Sequence, residues 1–555
     1  MTSRSGDQVP VLIVGGGPVG LALAGDLGWR GIRCLLIEQS DGAIYQPKMD
    51  LVGIRTMEHC RRWDIVKDVV GSPYPRDYPQ DNVYLTSLGG YELGREPFPP
   101  LGEEKPPPVS PQKRERCPQN MFDPILRAFV ARQPSVEVRY HAKLTELRFE
   151  GEGVTATVTD PRSGATNEVR SEFIAGCDGA HSTVREFLGI PMQGTPALTY
   201  TTNVIFRCAG LAARHPGRKS YRYIFVGPEG TWATIVAING GDQWRMSIIG
   251  AETPRTLTTD DIHAAIARAA GPLPPYEILS VVPWVRKELV AETYRKGPVF
   301  ILGDSAHVMS PTGGYGMNTG IGDAVDLSWK LAAVLQGWGG DRLLDSFGAE
   351  RRPIGVRNAS EASRNLRRML SPGRNEGLLD ENEAGAALRR RVGTAMTEAM
   401  KHEWFTLGMH LGYRYENSPV CVPEGTPPLA DDPRNYIPTS RPGSRAPHVW
   451  LADGRSTLDL FGRGFVLLRL GARAPDAQPL VQAARKTGMP LEVVALDEPA
   501  VTAAYERALV LVRPDGHVAW RGDEIGDAAA IIRTVCGLDV GAAAARGKQV
   551  QERVQ

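Results

Sequence analysis

The pattern that most constrains this 555-residue chain is its opening strand, glycine turn, helix and second strand. Residues 9–14, VPVLIV, form a short apolar run that meets Val14-Gly15-Gly16-Gly17-Pro18-Val19-Gly20, and a helical pattern, LALAGDLGWRG, follows. A second apolar run at 33–37, RCLLI, ends on Glu38. Apolar runs of strand length on either side of a helix predict a βαβ unit and a parallel sheet. Gly15, Gly17 and Gly20 stand at the spacing G-x-G-x-x-G. The first allows a tight turn, and the second lets the backbone approach a pyrophosphate at the positive helix N-terminus. The third lets the helix pack closely on its strand. Pro18 and Val19 fall in the first helical turn. Glu38 lies 21 residues after Gly17, where a carboxylate accepts hydrogen bonds from ribose hydroxyls, with Gln39 beside it. The pattern fits NAD and FAD equally.

Composition narrows the class. Lys+Arg total 64 against 63 for Asp+Glu, so the global balance does not point to a nucleic-acid partner. No apolar run reaches membrane-spanning length, and the first residues lack a signal-peptide core. Seven cysteines lie far apart with no C-x-x-C, and ten histidines form no ligand cluster. A cytoplasmic protein without a bound metal is expected.

Along the chain the opening unit continues to about residue 75. Residues 76–116 are rich in Pro and charge and read as long loops of a substrate domain. Helix and strand patterns at 117–190 return to the nucleotide-binding domain. Period-two strands fill 191–285, among them TTNVIFRC, YRYIFVG, TWATIVAI and QWRMSIIG, and predict a β-sheet substrate platform. The run PVFILG leads 286–412 back to the first domain through a glycine-rich loop and helices. A Pro-rich linker at 413–440 precedes an α/β module at 441–540, in which Asp515-Gly516 turns a hairpin. A tail, 541–555, follows. The predicted fold class is therefore α/β: a Rossmann-like domain with an inserted β-sheet domain, plus a C-terminal α/β domain.

Two later motifs decide the cofactor. Cys177-Asp178-Gly179-Ala180-His181-Ser182-Thr183-Val184-Arg185 follows the strand EFIAG. Gly303-Asp304-Ser305-Ala306-His307, with Pro311 and Gly313-Gly314-Tyr315-Gly316-Met317-Asn318, follows another strand. With the glycine fingerprint, these residues resemble the class A flavoprotein monooxygenases, the family of p-hydroxybenzoate hydroxylase and phenol hydroxylase, across about residues 9–370. The run from Pro47-Lys48 to Arg55-Thr56-Met57-Glu58 looks like chlorophenol 6-monooxygenases and polyketide-tailoring hydroxylases, which often carry a C-terminal thioredoxin-like domain. The resemblance implies FAD held by Gly15, Gly17, Pro18, Val19, Gly20, Glu38, Gln39, Lys48, Gln119, Asp178, Gly179, Gly303, Asp304, Pro311, Gly314, Gly316, Met317 and Asn318. Asp304 at a strand end suits a ribityl hydroxyl. Met317 and Asn318 are expected to open a helix whose free N–H groups face the flavin. His181 and Ser305 depart from the commonest residues of their motifs, and His307 reads as a packed structural histidine.

The resemblance further implies NADPH or NADH as a transient co-substrate. Reduced FAD would trap O2 as a C4a-hydroperoxide, with OH transfer to an activated aromatic ring. A phenol is more nucleophilic as its phenolate, so a base is expected, and Asp50 is the candidate. Tyr223, Phe225 and Trp232, with Tyr221 and Trp244, lie on the β platform and are candidates for an aromatic pocket, although alternating strand aromatics also build cores. Epoxidation or Baeyer–Villiger oxidation on the same fold, and a non-enzymatic flavin-binding regulator, stay open. No W-x-W-x-I-P of the halogenases occurs. The C-terminal module lacks paired cysteines and is assigned to packing or to a homo-oligomer.

Overall fold

The computed structural model describes residues 7–45, 47, 49–151, 153–250 and 253–538. Lys48 and the tail 541–555 lie outside them. The opening motif builds five parallel strands in the order Val136–Tyr140, Cys34–Glu38, Asp7–Val14, Thr166–Gly176 and Val299–Ile301. Val11 to Ile13 and Leu35 to Ile37 are almost wholly buried, as expected where helices cover both faces of a parallel sheet. The helix Pro18–Trp29 is apolar all round because it is wedged against Gln119–Ala131 and Tyr315–Leu335. Thr166–Gly176 also turns outward, pairing antiparallel with Gly153–Thr159 and through it with Lys143–Glu150.

A second, mainly antiparallel sheet has eight strands. Its centre runs Glu277–Ala291, Met192–Arg207, Gln243–Ile249, Gly230–Ala237 and Arg222–Gly227. The segment 76–116, expected as loops alone, adds to this sheet. Asn82–Leu85 pairs parallel with Arg222–Gly227, and Glu92–Glu96 forms the edge. A four-residue strand set among prolines and charges is stabilised by a partner some 140 residues away, which local composition does not reveal. The helix Thr259–Ala270 covers one face, meeting Phe206, Tyr223, Phe225 and Trp244 with Ile262 and Ile266.

The C-terminal sheet runs Leu491–Leu496, Phe465–Leu470, Leu509–Val512, Val518–Gly522, with only the first pair parallel. A crossover helix, Gln478–Thr487, then Pro499–Tyr505, a hairpin and Ala528–Val535 complete the thioredoxin-like βαβ–ββα order. All seven cysteines are free. The stretch 413–440 is not a loose joint. Tyr415 N–H donates to Gly443 O (2.9 Å), Val422 N–H donates to Ala519 O (2.8 Å), and Val420 is buried. Prolines there suppress regular structure without preventing packing.

The contact between the C-terminal module and the first domain is apolar at Trp329 and Trp338, which stack, and at Phe465, which meets both edge-on. It is also ionic and buried. Arg513 donates to Glu350 (2.6 Å), Asp326 (3.0 Å) and Asp515 (2.7 Å), while Lys330 donates to Asp326 (2.7 Å) and Glu350 (2.6 Å). A second seam follows the helix Ile54–Arg62, where three-residue spacing puts Arg55, Glu58 and Arg61 along one stripe. Arg55 donates to Asp515 O (2.8 Å), Glu58 accepts from Arg445 (2.5 Å), and Arg61 donates to Asp459 (2.6 Å). Burial alone would raise the pKa of Glu58, but Arg445 and Arg55 outweigh it and bring it down to about 2.

Candidate active site

The carboxyl ends of the parallel strands open onto a cavity of about 940 Å³, where ligands bind in sheets of this kind. Its floor is the glycine turn. Gly15 has φ +109°, and a Cβ there would lie 2.5 Å from Cys177 O; a Cβ on Gly20 would lie 2.0 Å from Gly15 O. Both positions therefore demand glycine. Gly20 does not line the cavity; it sets the helix against the strand. Gly17 caps the helix Pro18–Trp29 with open space where a Cβ would stand, so its backbone is bare toward a pyrophosphate. Pro18 and Val19 border the same space, as do Glu38 and Gln39. Glu38 also braces the turn, accepting from Gly16 N–H (2.8 Å) and from Ser40 N–H (2.8 Å).

The other end of this cavity is lined by Gln119, Asp178 and Gly179, and then by Asp304, Pro311, Gly314, Gly316 and Met317. Asp178 spends its oxygens locally, accepting from Ser182 Oγ (2.5 Å), Val184 N–H (3.0 Å) and Ser305 Oγ (3.1 Å). Ser305 Oγ in turn accepts from Gly179 N–H (3.0 Å), so it ties the two later motifs together. Gly303 stands behind the lining with φ +56°, its N–H donated to Asp323 (3.1 Å). Asp323 is ionised: burial opposes this, and Arg351 (2.7 Å) with His307 (2.7 Å) prevails. His307 is accordingly a structural residue.

Asn318 departs from its expected place. The helix begins at Tyr315, so Asn318 is already in its second turn, and its side chain is consumed by the protein. It accepts from Gly53 N–H (2.8 Å) and Thr56 (2.7 Å) and donates to Leu51 O (3.1 Å) and Gly314 O (2.7 Å). Asn318 fixes the Leu51–Thr56 backbone, and the unpaired N–H groups belong to Tyr315, Gly316 and Met317. The bare glycine cradle, the helix N-terminus and the cavity volume fit a bound dinucleotide.

A second cavity, of about 1070 Å³, lies under the β platform. It shares Asp50, Leu51, His181, Arg245, Asp304, Met309, Pro311 and Gly314 with the first. Asp50 is therefore on the wall where the two spaces meet. It accepts from Arg116 (3.1 Å), Arg245 (3.4 Å) and, through a short hydrogen bond, the Tyr221 hydroxyl. The guanidinium of Arg116 lies 3.6 Å from the centre of the Tyr221 ring. Leu51–Val52 pairs with Glu115–Arg116, which brings Arg116 to Asp50. Burial raises the pKa of Asp50, but Arg116 and Arg245 reverse this, and its carboxyl is held below the usual range. Burial first, then Asp50, push the Tyr221 hydroxyl the other way, so it stays protonated and donates. Arg116, Tyr221 and Arg245 come from three separate segments, and nothing in their local sequence marks them as a set.

Tyr223, Phe225 and Trp232 do not line this cavity. Strand side chains alternate between faces, and Tyr223 and Phe225 point to the helix Thr259–Ala270 together with Trp232 and Trp244. The cavity face carries Arg222, Thr234, Val236, Arg245, Ser247 and Trp284 instead. Tyr223, Phe225, Trp232 and Trp244 are core, whereas Tyr221 lines the cavity. Among the described residues no helix is long and apolar enough to cross a membrane, and no group of three His, Cys, Asp or Glu could hold a metal.

Comparison with known proteins bears on the same residues. A family model described as FAD binding domain matches residues 8–362, and one described as aromatic-ring hydroxylase, C-terminal, matches 439–538. The chain is 33% identical to the FAD-dependent monooxygenase apdD of Emericella nidulans, over 97% of this chain and 92% of that one. It is 34% identical to a putative polyketide hydroxylase of Streptomyces halstedii, over 94% and 95%. The solved structure of RebC with bound 7-carboxy-K252c superposes with a TM-score of 0.90 at 36% identity, covering 96% of this chain and all of that one. Two cavities meeting at a half-buried carboxylate, on a chain matched almost end to end, leave one assignment: this is an FAD-dependent monooxygenase of the aromatic-ring hydroxylase family.

Proposed function

We propose that the substrate is a phenol borne on a polycyclic aromatic skeleton, hydroxylated at the expense of NAD(P)H and O2, with Asp50 as the proton acceptor. The observation that carries this is Asp50 itself, on the wall shared by the two cavities and bonded to Tyr221. Bound FAD, once reduced, supplies the activated oxygen. The protein's part is to hold the reacting ring at that wall, to exclude water from it, and to take the proton that leaves the ring hydroxyl. Tyr221 orients the carboxylate, and Arg116 and Arg245 keep it ionised. Met309, Pro311 and Gly314 form the rest of the wall.

The size of the second space supports the polycyclic reading. At about 1070 Å³ it lies just above the roughly 300–1,000 Å³ of drug-sized sites. A relative at 34% identity is named a putative polyketide hydroxylase. Gln39, Asp178, Gly179 and Asp304 are proposed to face the cofactor's ribose and ribityl groups. His181 lines both cavities, on the side from which a transient nicotinamide can approach. The test is NADPH and NADH consumption with product analysis across simple phenols, hydroxypyridines and polyketide phenols. Coupled ring hydroxylation of the polycyclic phenols is expected. Efficient coupling with single-ring phenols alone would overturn the proposal.

A further inference from the structure

The cavity under the β platform is crowded with cations, and all but one of the buried or half-buried arginines that line it have a carboxylate partner. Arg222 pairs with Glu403 (2.8 Å), Arg116 (3.1 Å) and Arg245 (3.4 Å) with Asp50, and Arg114 with Glu104 (3.2 Å). Arg286 is the exception. It sits on Glu277–Ala291 opposite Thr199, is 4% exposed, and lines the substrate cavity. Among the described residues it has no ion pair. Its hydrogen bonds go to two neutral hydroxyls, Thr201 (3.2 Å) and Ser310 (3.5 Å), and its guanidinium lies 4.9 Å from the Trp284 ring.

A buried guanidinium without a counter-charge is costly to keep, and removing one partner of a buried pair is among the more destabilising changes known. The strain shows in its titration. Burial first, and then the charge of Arg222, push its pKa down to about 9, and Glu403 offsets only part of this. Glu403 acts on Arg286 only at a distance: its Oε1 accepts from Arg222 and from Gly313 N–H (3.1 Å), its Oε2 has no hydrogen-bond partner, and it makes no ion pair with Arg286. Nor is the flavin cofactor the missing anion, because Arg286 is absent from the lining of the cofactor cavity. The missing negative charge therefore arrives with the molecule that fills the second cavity. A guanidinium fork matches the two oxygens of a carboxylate.

We infer that Arg286 is the receptor for a carboxylate on the substrate, which makes the substrate an acidic polycyclic phenol; this rests on the polycyclic reading given above. The residue determines specificity by contact, since a neutral analogue leaves the guanidinium buried and bare.

The test uses FAD-loaded enzyme and a matched pair of probes, 1,8-dihydroxyanthraquinone and its 3-carboxylate, titrated against the flavin absorbance and fluorescence. Wild type is expected to bind the carboxylate about ten- to a hundred-fold more tightly, the range for hydrogen bonds to charged groups. Arg286→Met should erase that preference and leave the Kd of the neutral probe nearly unchanged. Arg286→Lys should restore part of it, and the FAD content of each variant confirms the fold. Equal affinities in wild type, or a preference that survives Arg286→Met, would overturn the inference. So would a raised KM for NADPH in Arg286→Met with the preference intact, which would make the anion a nucleotide phosphate. If neither probe binds while a single-ring phenol is turned over with good coupling, the polycyclic reading itself has failed, and the assignment of Arg286 falls with it.

Discussion

Replacing Asp50 with Asn tests the chemistry where the two cavities meet. Arg116 and Arg245 keep this carboxylate ionised at every pH above its ordinary 3.8. A phenol titrates at roughly 10, so full proton transfer in the resting complex would be uphill by at least about six pKa units, or about 8 kcal/mol. The proton therefore leaves only as oxygen adds to the ring, when the hydroxyl becomes strongly acidic and a weak base suffices. Asn still accepts a hydrogen bond from Tyr221 or Arg116 but takes no proton. The expected loss in hydroxylation rate is about 10²–10⁴-fold, the usual range for general-base assistance. FAD retention and the rate of flavin reduction should change little. Single-turnover product formation, with product and H2O2 counted per NAD(P)H, measures this directly, and uncoupling should rise in step with the loss. The reasoning is refuted if rate and coupling are both unchanged. Loss of flavin would instead make Asp50 a cofactor-holding residue.

Other perturbations separate scaffold from site. Arg513→Met leaves Asp326 and Glu350 buried with only Lys330 as ion-pair partner, and Asp515 buried with only His517. Thermal unfolding should show about 3–5 kcal/mol of lost stability, and a change below about 1 kcal/mol would contradict it. Glu58 contributes stability that is fully present above pH 4.5 and lost as pH falls toward about 2, since its folded-state pKa is depressed. Acid unfolding of Glu58→Gln should lack that component, worth about 3 kcal/mol in wild type. Gly20→Ala drives a methyl group into Gly15 O and should yield protein that retains little FAD, read from its absorbance. Cys536→Ser places a hydroxyl in an apolar cluster, so it should lower the melting temperature without altering turnover.

How much of this was legible beforehand depends on how local each signal is. The glycine turn, Glu38 and the two later motifs announce themselves within a dozen residues each, because a nucleotide cradle is built from contiguous backbone. The β platform was also legible as alternation, but its polarity was not. Tyr223 and Arg222 are neighbours in sequence and face opposite sides, and only the position of the helix Thr259–Ala270 decides which side is core. Residue type favoured the aromatics for the pocket, but of the five candidates only Tyr221 lines it, among arginines and threonines. Tyr221, Arg245 and Arg286 sit on separate strand segments, so no spacing rule could gather them. Asn318 was placed at the helix opening wrongly because the helix starts at Tyr315, two residues before the expected opening.

The helix Ile54–Arg62 is gripped at both ends by different parts of the molecule. Asn318 holds the backbone at its start, and Arg445, Asp515 and Asp459 hold the stripe of Arg55, Glu58 and Arg61. Asp50 precedes it by four residues, and the one glycine in between, Gly53, is pinned by its N–H bond to Asn318. The C-terminal module thus acts as an anvil behind the carboxylate: it touches neither cavity's reacting wall, yet the stiffness with which Asp50 meets a substrate is set partly from there. Grafting this module from a relative would then have to bring its Arg445, Asp459 and Asp515 counterparts in register with that stripe, or the transplanted enzyme would hold its base with a slack arm.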